Sequence, residues 1–205
     1  MNINPLLDEL KSQGIKGKIL DVIRSVKREK FIPEKYKKQS YENIPLPIGY
    51  KVTISQPYTA AFMLQELELK KGQKVLEIGT GSGYNAALIS KLIGEKGKLY
   101  TLEIIPELAE SAKKNLKNYK NVRVLVRDGS EGLKEKAPFD RIIQTAASGR
   151  LQKKLIRQLK VDGIYLAPIG PSYSQKLVKV RKTKHGIKYN SLGDFIFVPL
   201  VRKVQ

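Results

Sequence analysis

Cysteine is absent from this 205-residue chain. That excludes a disulfide framework, a thiolate nucleophile and a cysteine-ligated metal, and with them the disulfide-stapled class of secreted proteins. Histidine occurs once, as His185 in the polar turn Lys184-His185-Gly186, where solvation suits it better than catalysis. No catalytic triad and no cluster of metal-ligating residues can be read from the chain. No run of about 18 apolar residues occurs, and Met1 to Asp8 lacks a basic start followed by an apolar stretch. The expectation is a cytoplasmic protein with no membrane partner. Acidic residues are scarce, 19 against 39 Lys and Arg, for a formal charge of +20. A nucleic-acid binder can carry such a charge. Here, however, the lysines recur in almost every polar segment, as in Lys37-Lys38, Lys113-Lys114 and Lys153-Lys154, rather than in one basic arm interleaved with aromatics. The balance is read as a lysine-rich solvated surface.

The length suits one domain with one substantial core. Within it, residues 1–68 are expected to form a helical, loop-rich extension and residues 69–205 an α/β core. Asn4-Pro5 can cap and start a helix carrying Leu6, Leu7 and Leu10, which Gly14 ends. Ile19, Leu20, Ile23 and Val26 mark a second helical face, stopped before Pro33. Pro45, Pro47 and Gly49 make residues 44–50 an extended or turning connection, and Ala60, Ala61, Met63, Leu64 and Leu67 mark a third helix.

From Lys74 onward strand and helix patterns alternate. Strands are expected at 74–78, 98–102, 122–126 and 139–144, with helices from 84, over 106–119 and over 151–159. Alternation of this kind predicts a doubly wound, mostly parallel sheet. Asp162-Gly163 is expected to turn the chain into residues 164–168. The tail, with a strand at 175–180, a hairpin turn at Lys184-His185-Gly186 and a final strand at 195–198, predicts antiparallel strands at the end of the sheet.

The chemistry concentrates after the first core strand, in Val75-Leu76-Glu77-Ile78-Gly79-Thr80-Gly81-Ser82-Gly83-Tyr84. Glycines let a backbone approach a ligand closely, and the following helix offers free N–H groups and a positive dipole end. A dinucleotide fingerprint spaces its glycines G-x-G-x-x-G, but here the third arrives one residue early and Glu77 precedes the first. The pattern resembles the S-adenosylmethionine (AdoMet) loop of class I methyltransferases, which have a Rossmann-like fold. About 20 residues on, Glu103 ends the next strand, where such folds place an acid on the ribose hydroxyls. Asp128-Gly129 follows the third strand, suited to the adenine amino group and to close backbone approach. Thr145 follows the fourth. Glu77, Gly79, Thr80, Gly81, Gly83, Glu103, Asp128, Gly129 and Thr145 are therefore the candidate cofactor residues.

The whole chain resembles the protein-L-isoaspartate O-methyltransferase family. The resemblance is carried by Arg28-Glu29-Lys30-Phe31-Ile32-Pro33, Pro45-Leu46-Pro47-Ile48-Gly49, Ile54-Ser55-Gln56-Pro57, the glycine loop, Asp128-Gly129, Ala137-Pro138-Phe139-Asp140, Thr145-Ala146-Ala147 and Phe197-Val198-Pro199-Leu200. It implies methyl transfer from AdoMet, leaving S-adenosylhomocysteine, to the α-carboxylate of L-isoaspartyl residues in damaged proteins or peptides. The ester then cyclises to a succinimide and reopens, partly to aspartate. It further implies that Ser55 hydrogen-bonds the substrate carboxylate as the catalytic residue, with Ile54, Gln56 and Pro57 beside it on the substrate, and that no metal takes part. Read from the sequence alone, Ser55 stands just before a helix start, and could equally be a cap or turn residue. A carboxylate is already ionised at neutral pH, so the attack needs no general base. The working unit is taken as a monomer.

Two stretches depart from the family pattern. Lys51-Val52 stands where Gly-Gln is usual, and Ser148-Gly149-Arg150 replaces an Ala-Pro-type continuation. The competing readings are a nucleic-acid methyltransferase, prompted by the charge, and an AdoMet-binding paralogue inactivated at Lys51-Val52. Against the first, cysteine-dependent 5-methylcytosine chemistry is impossible, and Thr145-Ala146-Ala147-Ser148 occupies the place of an Asn/Asp-Pro-Pro-aromatic motif.

Overall fold

The computed structural model describes residues 2–201. Its first helix, α1 (Asn4–Ser12), buries Leu6, Leu7 and Leu10. Asn2, not Asn4, serves its entrance, because the Asn2 side chain accepts from Asn4 N–H at 3.0 Å. Helix α2 (Gly17–Ser25) follows, and then two 3-10 turns, Arg28–Phe31 and Glu34–Gln39. The connection expected at 44–50 is half of a hairpin, with β1 (Leu46–Gly49) pairing antiparallel with β2 (Val52–Ile54). Tyr50 and Lys51 between them have φ of 51° and 57°. That is the tight two-residue turn whose twist matches flanking strands, formed here without glycine at either central position. Helix α3 (Pro57–Glu66) leads from the hairpin into the sheet.

The alternating elements then appear as expected: β3 (Lys74–Ile78), α4 (Tyr84–Ile93), β4 (Lys98–Glu103), α5 (Pro106–Asn115), β5 (Val122–Val126), β6 (Phe139–Gln144) and α6 (Lys153–Arg157). Helices α5 and α6 are shorter than their patterns suggest. Three long strands close the sheet: β7 (Leu159–Ile169), β8 (Gln175–Thr183) and β9 (Gly186–Phe195). Their order across the sheet is β5-β4-β3-β6-β7-β8-β9. All pairs from β5 to β7 are parallel, and β7-β8 and β8-β9 are antiparallel.

Two expectations about the tail need correction. Asp162-Gly163 does not turn the chain into a strand; it lies inside β7 as an irregularity, with Asp162 at φ 62° and the register to β6 shifting between Phe139 and Arg141. Two steps along β6 are matched by five along β7, from Leu159 to Ile164, and such an insertion bends a strand without ending it. The final strand runs from Gly186 to Phe195, and Ile196–Val198 leave the sheet.

The central strands are buried on both faces, as a sheet with helices on either side requires. Val75, Ile143 and Ile164 pack in a core with Leu6, Leu10, Ile23 and Leu88, so the N-terminal helices share the core of the sheet. Leu76, Ile142 and Tyr165 face the other way, onto Leu155 and Ile156 of α6. No helix among the described residues is long and apolar enough to cross a membrane.

Candidate active site

Parallel strands that share one direction bring their carboxyl ends to one edge, where the connecting loops must cross. The loops after β3, β4, β5 and β6 meet there with β2 and with residues 198–201, around a cleft of about 920 Å³ including its open mouth.

The glycine loop is shaped by its neighbours. Gly79 has φ 91°, and a Cβ there would stand 2.5 Å from Thr145 Oγ1. That hydroxyl is in place to bond the carbonyls of Ile78 (3.1 Å) and Gly79 (2.8 Å), bracing the end of β3. Gly81 N–H donates to Glu103 Oε2 at 2.8 Å, while Ile104 and Ile105 N–H donate to Oε1 at 3.0 and 3.2 Å. The Glu103 carboxylate is thus fixed at the cleft wall by three backbone donors, beside the apolar side chains of Ile104 and Ile105.

Glu77 lies behind the loop rather than in the cleft. It is fully buried and accepts from Asn85 Nδ2 at 2.7 Å and from Thr101 Oγ1 at 2.6 Å. Thr80 Oγ1 lies 2.7 Å from Thr101 Oγ1 and, since the Thr101 proton is committed to Glu77, acts as the donor. Loop, two strands and helix α4 are tied together by this chain. Burial pushes the Glu77 carboxyl up to about 7, against the hydrogen bonds from Thr101 and Asn85 and with help from the charge of Glu103.

Of the other expected residues, Ile54, Ser55, Thr80, Gly129 and Thr145 line the cleft with Gly79, Gly81 and Glu103. Gly83, Gln56, Pro57 and Asp128 do not. Gly83 is the N-cap of α4 at φ 85°, and Gln56 and Pro57 are the N-cap and first residue of α3. Asp128 Oδ1 accepts from Ser130 N–H at 2.8 Å, capping a 3-10 turn. A Cβ on Gly129 would stand 2.4 Å from Ile78 Cγ2, so glycine there lets β3 pack against the loop. The capping alternative for Ser55 is not what forms: α3 has no side-chain cap bond, and the Ser55 hydroxyl makes no hydrogen bond among the described residues.

Val198 to Val201 also line the cleft, a role the sequence did not assign them. Ala147 N–H donates to Val198 O and Leu200 N–H to Ala147 O, each at 2.7 Å. Phe197 N–H donates to the buried side chain of Gln175 at 2.7 Å. The terminal apolar run is therefore a wall of the site, and its place among the stretches that carry the family resemblance, as Phe197-Val198-Pro199-Leu200, was the signal available. Ile104, Ile105, Met63 and Asn85 were likewise missed; they read as ordinary core or helix positions. His185, in the exposed β8–β9 turn, is not part of the cleft. Lys51 is exposed and outside it, whereas Val52 lines it. Ser148 is buried, accepting from Gln144 Nε2 and donating to Arg150 O, both at 3.1 Å.

Comparison with known proteins bears on this arrangement. A family model described as protein-L-isoaspartate(D-aspartate) O-methyltransferase matches residues 1–205. A protein-L-isoaspartate O-methyltransferase of Fervidobacterium nodosum is 46% identical over 197 residues, covering 95% of this chain and 99% of the relative. One from Ignicoccus hospitalis is 47% identical over 204 residues, covering 97% and 96%. Among solved structures, a protein-L-isoaspartate O-methyltransferase of Plasmodium falciparum, in complex with S-adenosyl-L-homocysteine, superposes with a TM-score of 0.87 at 28% identity, covering 98% of this chain and 99% of that one.

Proposed function

Since the chain belongs to the protein-L-isoaspartate(D-aspartate) O-methyltransferase family, we infer that it methylates the α-carboxylate of L-isoaspartyl residues in damaged proteins and peptides, starting their repair through a succinimide. When bound, AdoMet supplies a methyl group activated by its sulfonium.

The residues of the cleft suit that cofactor. Glu103 presents a fixed acid for a ribose diol, and Ile104 and Ile105 offer apolar surface for a purine face. Asn85, on the cleft wall, has a buried Oδ1 with no partner among the described residues, an acceptor that an amino group would satisfy. Gly79, Thr80 and Gly81 give backbone access, Gly129 closes the adenine side, and Asp128 holds the turn that carries it. Thr145 braces the strand end from which the loop springs. Glu77 and Gly83 support the loop from behind.

On the substrate side, Ser55 donates its hydroxyl to the substrate carboxylate, with Ile54 shaping the wall and Gln56 and Pro57 starting the helix that carries the loop. The observation that bears most weight is that Ser55 lines the cleft with its hydroxyl uncommitted to any other group among the described residues. No proton need be removed, so the protein's contribution is orientation, for which effective molarities of roughly 10⁵–10⁸ M are available.

The direct test supplies AdoMet with an isoaspartyl peptide and its aspartyl twin. Methyl transfer to the first alone is expected; equal labelling of both, or of neither, would overturn the reading. We read the working unit as a monomer and the basic surface as solvated. Salt-sensitive methyl transfer to RNA would contradict the latter.

A further inference from the structure

Arg28 is 1% exposed and, among the described residues, has no carboxylate partner. Its Nη1 donates to Ser40 O at 2.8 Å, and its Nη2 to Ile44 O at 3.0 Å and to Ser55 O at 3.1 Å. Nε is buried with no partner among the described residues. A guanidinium taken out of water without a counter-ion is expensive, and an apolar side chain of similar volume fills such a space at less cost. What the charge achieves here is to gather three carbonyls, two from the 40–44 turn and the third that of Ser55. Burial lowers the Arg28 pKa to about 10, which leaves it charged at neutral pH.

The turn that carries Arg28 makes a second contact. Phe31, three residues on, meets the ring of Tyr84 edge-on, with centroids 5.5 Å apart and planes at 62°. Tyr84 is the first residue of α4, directly after the glycine loop, and lines the cleft. Glu29 is held in turn by a hydrogen bond from the Tyr41 hydroxyl. A single four-residue turn therefore grips the substrate loop through Arg28 and leans on the cofactor helix through Phe31.

We propose that Arg28 is a positioning residue that sets where Ser55 stands relative to the glycine loop, and with it the alignment of the substrate carboxylate and the methyl donor. The proposal rests on the reading of Ser55 as the substrate-side residue. In-line displacement is demanding of geometry: a misplacement of about 1 Å can cost on the order of 100-fold in rate. Lysine at the same place keeps the charge but cannot reach three divergent carbonyls from a planar fork.

The experiment compares wild type with Arg28→Lys and Arg28→Met in three measurements: steady-state methylation of an isoaspartyl peptide, S-adenosylhomocysteine affinity by calorimetry, and hydrogen exchange resolved to segments. For Arg28→Lys, kcat falls by roughly 10- to 100-fold, while S-adenosylhomocysteine affinity stays within about twofold of wild type, as expected when cofactor binding is spared. Exchange accelerates over residues 52–58 and not over residues 79–87. Arg28→Met shows the same split, more strongly. An unchanged kcat in folded Arg28→Lys overturns the proposal, as does a loss of cofactor affinity that matches the loss of kcat. Failure of both variants to fold also overturns it, by making Arg28 a scaffold residue. If wild type binds S-adenosylhomocysteine yet methylates no isoaspartyl peptide, the functional reading falls. The exchange pattern then decides for or against the positioning role alone.

Discussion

Thr101 Oγ1, in β4, donates to Glu77 Oε2, in β3, at 2.6 Å, beneath the glycine loop. The bond ties β4 to β3 at the level where the cofactor loop begins, and it favours the charged form of a carboxyl that burial drives up to about 7. Around 4.5, its ordinary value, the unfolded chain gives up this proton, and the folded protein keeps it until about 7. Stability therefore falls as pH rises through that window and is level above it. Glu77→Gln removes this slope, a difference of roughly 3 kcal/mol across the window. Melting curves from pH 4.5 to 8 should show the variant gaining on wild type as pH rises. A gap that stays constant with pH would mean that Glu77 titrates as it does in water.

Ser55→Ala separates activity from stability. The hydroxyl has no partner among the described residues, so urea unfolding should change by less than about 0.5 kcal/mol. If Ser55 donates to the substrate carboxylate, kcat/KM falls by roughly 10²-fold, the scale of losing one donor aimed at reacting charge. An active Ala variant would remove Ser55 from the chemistry.

Gly79→Ala meets two obstacles, a φ of 91° and the Thr145 hydroxyl 2.5 Å from the new Cβ. A loss of about 1–3 kcal/mol in stability is expected from the backbone conformation and the clash, together with weakened S-adenosylhomocysteine binding. In a Thr145→Ala background the hydroxyl is gone and only the backbone cost remains. The penalty of Gly79→Ala should accordingly shrink there, and a double-mutant cycle on urea midpoints measures by how much.

Lys51→Gly should stabilise the protein. Lys51 sits at φ 57° on the hairpin tip, a conformation that costs a side-chain-bearing residue roughly 0.5–1 kcal/mol relative to glycine. Because Lys51 is exposed and outside the cleft, isoaspartyl methylation should change by less than about twofold. A large gain in activity would instead support the view that Lys51-Val52 disables the site.

Gln175→Ala leaves the Phe197 N–H without its acceptor and the Pro171 carbonyl without its donor. An unsatisfied buried donor costs about 1–3 kcal/mol. The wall formed by Val198 to Val201 should loosen, so protease cleavage after residue 195 should accelerate in the absence of S-adenosylhomocysteine and slow again when it is added. Equal cleavage rates in wild type and variant would show that Gln175 does not hold this segment.

Much of the fold was legible because the parallel core combines two strong signals. Short β-branched runs at Val75–Ile78 and Phe139–Gln144 alternate with helical periodicity, and the glycines mark the loop between β3 and α4. The β1–β2 hairpin was not legible, because its turn places Tyr50 and Lys51 where propensity leads one to expect Asn or Gly. Strand β9 escaped for another reason. It is an edge strand with both faces largely exposed, so its residues carry little hydrophobic alternation, while the apolar run at 195–198 drew the assignment toward itself. The place of Glu103 on the cleft could be expected because folds of this kind put an acid at the end of the second strand. Arg28 was visible only as part of a motif, since nothing in a sequence tells a buried arginine bound to carbonyls from one exposed to water.

The bonds joining Ala147 to Val198 and Leu200 impose an order of events on the growing chain. The sheet from β3 to β6 can assemble as those strands are made, but one wall of the cleft comes from residues synthesised much later, and closing so long a loop is slow relative to local structure. A complete cleft therefore arrives near the end of folding, and if the cleft holds the cofactor as proposed, S-adenosylhomocysteine binding reports completion of the whole fold rather than formation of the glycine loop.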